Sequence, residues 1–147
     1  MTLLAAGALA AVPATAAVAL PSAPAGSGGE RVSDSRTAPS LVGTWAVRAT
    51  GEDGSVNNTV IRFAKDGTLS NESGTGTWKK LGPGLFSYQL TEHIYDDSGA
   101  LLMRIEIEQK GVLKSGNSFA SAGSAETFDP SGTSLGTTKV RGQGTRQ

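Results

Sequence analysis

A chain of 147 residues has room for one domain. Its 13 basic and 13 acidic side chains cancel, which argues against the basic surface a nucleic-acid binder needs to displace counterions. It has no cysteine and a single histidine, His93. This excludes disulfides, thiolate nucleophiles, zinc–thiolate sites and multi-histidine metal sites, so no metal is expected.

Residues 1–29 carry no charged side chain, and Glu30 is the first. The apolar run Leu3–Val12 is too short to cross a bilayer of about 30 Å as a helix. Small-residue pairs follow at Ala14/Ala16, Ala17/Ala19 and Ala23/Ala25, the spacing a signal peptidase accepts. A basic segment ahead of the apolar run, usual in such leaders, is missing. Pro13 and Pro21 oppose the alternative of a membrane anchor; a disordered Ala/Pro tail is the third reading. The expectation is a secretory signal peptide over 1–25, a disordered linker over 26–40 rich in Ser, Pro and Gly, and a folded domain over 41–147. The mature protein is then secreted, with no stable membrane insertion after cleavage.

From Leu41 onward, turns recur at short intervals between runs of alternating character. Leu41–Thr50 places Leu41, Gly43, Trp45, Val47 and Ala49 on one face. Val56–Phe63 follows and ends at Asp66-Gly67, a dipeptide that accepts positive φ in a tight turn. Thr68–Ser73 is a weak third strand, and Gly74–Leu81 carries Trp78. Leu85–Tyr95 precedes the turn Asp96-Asp97-Ser98-Gly99. Leu101–Leu113 sets Leu101, Met103, Ile105 and Ile107 against Leu102, Arg104, Glu106 and Glu108, one face apolar and the other mostly charged. Ser118–Phe128 and Ser134–Arg146 complete the series.

No segment sustains apolar residues at helical spacing, and connections this short join antiparallel neighbours only. An eight-strand meander curls or splits, and closure into an up-and-down barrel removes both exposed edges. The expected fold is therefore all-β, an eight-stranded antiparallel barrel. Its interior suits packed side chains or one small ligand.

The segment Gly43-Thr44-Trp45 opens the first strand, and Arg141 and Arg146 lie on the last. In a closed barrel these strands are neighbours, and an Arg stacking on Trp45 contributes roughly 0.5–2 kcal/mol. Gly-x-Trp at the start, eight strands, and a basic residue at the end together resemble the lipocalin and wider calycin families over residues 41–147. The further lipocalin motifs and the helix beside the barrel are not evident, so the chain resembles a compact bacterial lipocalin-like domain. The resemblance implies structural roles for Gly43, Trp45 and Arg146, the last preferred over Arg141 because it shares strand parity with Val140. It also implies an apolar ligand inside the barrel.

Parity gives a separate reading of the interior. On the fifth strand Phe86, Tyr88, Leu90, Glu92 and Ile94 share one face, and His93 lies on the other. Glu92 is either solvated at the rim, a ligand or catalytic contact inside, or displaced by a slip in parity; buried carboxylates are costly and concentrate at working sites. Phe63, Trp78, Phe86, Tyr88, Met103 and Ile105 are expected as core that doubles as cavity wall, and Gln109 as a group orienting a polar ligand atom. Glu92 is the weak candidate for catalysis.

Asp96 and Asp97 fit a turn, without the alternation of a calcium loop. Gly132-Thr133-Ser134-Leu135-Gly136 matches a nucleophile elbow in spelling but joins two strands, with no histidine downstream. No phosphate-cradling or dinucleotide motif occurs, so no cofactor is expected. The leading expectation is a secreted barrel binding a small hydrophobic or amphipathic molecule. The alternative is a cofactor-independent cyclase or isomerase resembling the allene-oxide-cyclase-type barrels. A third is a filled barrel acting through its outer surface.

Overall fold

The computed structural model describes residues 38–147; the expected signal peptide and nearly all of the linker lie outside the described residues. The domain is one closed antiparallel sheet of eight strands in chain order: β1 (Gly43–Gly51), β2 (Val56–Phe63), β3 (Thr68–Ser70), β4 (Gly74–Gly82), β5 (Leu85–Tyr95), β6 (Leu101–Ser115), β7 (Ser118–Phe128) and β8 (Ser134–Arg146). β8 returns to pair with β1, from Trp45 opposite Arg146 to Gly51 opposite Val140. Among the described residues there is no helix.

Four turns share one device. Asp53, Asp66, Asp96 and Asp129 each accept the backbone N–H and the hydroxyl of the residue two positions on, Ser55, Thr68, Ser98 and Ser131. A glycine at positive φ accompanies each of them, which is the chemistry of an Asx turn. The hydroxyl and amide donors hold these exposed carboxyls below the usual carboxylate range.

Several strand boundaries differ from the alternation in the sequence. β1 spans Gly43–Gly51 rather than Leu41–Thr50, and β4 ends at Gly82 rather than Leu81. β3 stops at Ser70 rather than Ser73, because the Asn71 side chain accepts the Ser73 N–H and its backbone N–H turns to Gly74. β6 runs on to Ser115, its last residues pairing with the start of β7.

Even and odd strands run in opposite directions, so the starts of β1, β5 and β7 and the end of β2 meet at one end of the barrel. There Trp45, Phe63, Phe86 and Phe119 fill the interior, all at 2% exposure or less. Their rings meet mostly edge to face, with centroids 5.1 to 6.4 Å apart. Full burial of such a side chain contributes about 1.5–3 kcal/mol, and each aromatic pair about 0.5–1.5 kcal/mol more.

Glycines make room for the rings. Phe86 lies opposite Gly111 and Phe119 opposite Gly144. A methyl at Gly111 would stand 2.3 Å from the Phe86 ring, and one at Gly144 would stand 2.1 Å from Phe119. Arg146 seals the same end. Its guanidinium sits 4.3 Å from the Trp45 ring centroid and donates to the carbonyls of Gly116, Val42 and Ser40. The Trp45 indole N–H donates to Leu41 O at 2.7 Å. Gly43, at φ +136°, leaves the space that Arg146 Nη1 occupies, since a Cβ there would lie 2.5 Å from it.

Gly144→Ala is expected to cost about 1–3 kcal/mol by overpacking against Phe119, read as a lower midpoint in urea at unchanged slope. Arg146→Lys keeps the charge but loses the planar fork, and is expected to cost a similar 1–3 kcal/mol. Unchanged denaturation midpoints would show that the plug does not set stability.

Candidate functional site

The other half of the interior is not filled. A cavity of about 280 Å³ lies above the aromatic plug and reaches the turn between β1 and β2 at Asp53 and Ser55. Its apolar wall comes from Val47, Ile61, Leu90, Ile105, Ile107 and Val140. Small residues at this level, among them Ala49, Ala125 and Gly142, leave space where the plug has rings.

Polar side chains interrupt that wall. Asp53, Ser55, Asn57, Thr59, Thr127 and Thr138 line the space, and Tyr88, Gln109 and Glu92 are the buried ones that carry the most chemistry. Tyr88 and Gln109 face each other in register on β5 and β6 and form the floor. The Tyr88 ring packs on the plug, 5.6 Å from Phe63 and stacked on Phe86. Burial pushes its phenol up to about 12, and the negative charge of Glu92 acts in the same direction. Ser121, buried near it, opposes the shift, although its hydroxyl oxygen completes no hydrogen bond of good geometry.

Gln109 donates through Nε2 to Val140 O at 3.3 Å. Its Oε1 is buried and has no partner. An acceptor left this way costs roughly 1–3 kcal/mol, so its retention asks for a function.

Glu92 belongs to the wall toward the open end and is 7% exposed, so the solvated-rim reading does not hold. Its Oε1 accepts from the Asn71 amide, and the same amide donates to Thr59 Oγ1 at 3.3 Å. Asn71 is the residue that sequence reasoning missed. The visible signal was Asn-x-Ser directly after a weak strand, an Asx turn whose free amide hydrogens can reach the barrel interior.

The structure brings Tyr88, Glu92, Ile105 and Gln109 together around the cavity. Phe63 and Phe86 belong to the plug beneath it. Trp78 stands edge-on to Phe63 at 6.1 Å and donates its indole N–H to Ala64 O, away from the cavity. Met103 is half-buried opposite Ile94 and does not line the space. His93 points outward, stacked on Tyr95, so it shares no face with Glu92.

No family model and no curated protein matches the chain. Among solved structures, the chain is similar to EF1p2_mFAP2b bound to DFHBI, with 19% identity and a TM-score of 0.51 over 73% of this chain and 94% of that one. A redesigned β-barrel, 16% identical, overlaps 73% of this chain and 91% of its own with a TM-score of 0.34. At this identity the likeness to the DFHBI complex is one of fold, and the closed eight-stranded meander agrees with a lipocalin-like layout.

Proposed function

We propose that this barrel binds one small amphipathic molecule in the open half of its interior, as a lipocalin-like carrier does. The observation that carries the reading is an apolar cavity into which Tyr88, Glu92 and Gln109 converge, with Gln109 Oε1 buried and unpaired. Concave, mostly apolar sites with a few placed polar groups are the usual form of small-molecule sites. The volume of about 280 Å³ is just under the usual lower bound of about 300 Å³, so the ligand is compact. That a barrel of similar fold is bound to DFHBI supports this reading. The leader-like 1–25 segment supports action outside the cell: protein recovered from culture medium should begin near residue 26.

A second reading uses the same wall. In a cofactor-independent isomerase or cyclase Glu92 would move the proton, since Tyr88 holds its own far above neutral pH and can only donate a hydrogen bond. Turnover lost on Glu92→Gln, with the substrate still bound, would select it.

Native mass spectrometry of the protein as purified should show a small adduct, and Ala125→Phe, which fills the cavity, should abolish it. An adduct that survives Ala125→Phe, or none from any source, would overturn the cavity reading.

The buried phenol also makes a pH prediction. The folded state holds the Tyr88 proton up to about 12, and the unfolded chain releases it near 10. Stability is therefore complete below pH 10 and falls as pH rises from 10 to 12, by roughly 1.4 kcal/mol per unit at most. Measured on Tyr95→Phe protein, where Tyr88 is the sole phenol, ionisation absorbance should rise together with unfolding. Ionisation near pH 10 with the fold intact would contradict it.

A further inference from the structure

We infer that the cavity takes an elongated amine, with a cationic nitrogen at the mouth, a compact apolar body, and a neutral hydroxyl or N–H donor at the floor. This rests on the small-molecule reading above and deepens it. The argument comes from which hydrogen-bonding groups the wall leaves unused.

At the floor, the Gln109 amide has spent its donor side on Val140 O, and its buried Oε1 faces no donor. When a ligand expels water from the floor, only a ligand donor satisfies it, and a ligand carbonyl or ether there leaves two acceptors in contact. Toward the mouth, Glu92 accepts from Asn71 on one oxygen, and its second oxygen receives nothing from the described residues. Asp53, in the turn at the mouth, adds a second carboxylate. Among the described residues no Lys, Arg or His lines the space. The buried Glu92 carboxylate beside apolar walls, with the solvent-exposed Asp53 carboxylate adding a weaker, screened charge and no lining cation, favours a positive ligand group and repels a carboxylate.

The separation of the two sites sets the ligand's shape. Glu92 is four residues beyond Tyr88 on β5, and Tyr88 is in register with Gln109. At about 3.4 Å per residue the two levels are roughly 14 Å apart along the strand. One ammonium group cannot serve both. After the reach of the two side chains, what remains is the length of a ring with a short chain. The wall between the levels, Leu90 opposite Ile107, is apolar, as is Ile105 opposite Glu92.

The test uses three probes with one body: tyramine, phenethylamine without the floor hydroxyl, and 3-(4-hydroxyphenyl)propionate with a carboxylate in place of the amine. Titrations are followed by the methyl resonances of Ile105 and Ile107. Tyramine should bind at least tenfold more tightly than the propionate and at least fivefold more tightly than phenethylamine. Glu92→Gln should collapse the first ratio and leave the second, and Gln109→Leu the reverse, so each variant serves as the folding control of the other. Equal affinity for tyramine and the propionate, with cavity methyls shifting, overturns the amine assignment and leaves the binding cavity standing. No shift with any probe, beside a co-purifying adduct sensitive to Ala125→Phe, also overturns the amine alone. Neither shift nor adduct overturns both.

Discussion

The pairing of β8 with β1 is the contact on which the rest of the barrel depends. Without it the sheet has two open edges and its two faces lose the distinction between inside and outside. Trp45 and Arg146 stand opposite each other at the end of that pairing, joined by the stacked guanidinium and by its donation to three carbonyls, two just before β1 and one in the β6–β7 turn. The contact also sets register. A slip of one residue between the two strands would turn the interior residues of one of them outward, and Arg146 could then no longer lie over the Trp45 ring.

Register and direction together divide the interior into two halves. In an up-and-down barrel the start of an odd strand and the end of an even one share an end. Trp45, Phe86 and Phe119 come early in β1, β5 and β7, and Phe63 comes last in β2, so the large rings collect where Arg146 closes the barrel. Glu92, late in β5, is carried to the opposite end by the same rule. Gly111 and Gly144 let two of the rings lie flat against the neighbouring strands, and the plug becomes dense enough to exclude solvent.

Much of this was legible in the sequence because alternation and turns are local signals. Asp-Gly and Asp-x-Ser turns marked most strand ends, and parity alone put Phe86, Tyr88, Leu90 and Glu92 on one face. Height along the barrel was harder to read, since it depends on strand direction and stagger. For that reason Phe63, Phe86, Trp78 and Met103 were grouped in the sequence with Ile105 and Gln109, although the fold sets them at other levels. The burial of Glu92 was likewise out of reach. It depends on Asn71, 21 residues away in the chain, whose amide crosses to it only because β3 ends early.

The division into halves is also an energetic one. Empty space in a core costs roughly 24 cal/mol per Å³, so a dry void of about 280 Å³ would cost about 7 kcal/mol, comparable to the whole stability of a domain. The open mouth and the polar atoms of Tyr88, Glu92 and Gln109 lower that cost by admitting water, which finds the two to four partners it needs only beside such groups. On the proposed binding reading the same atoms define the ligand, because a molecule that expels this water must replace its hydrogen bonds as well as fill the apolar space. A barrel with rings at both levels would be more stable and would bind nothing. By keeping the rings of its plug at one end, this chain leaves the interior of the other end open.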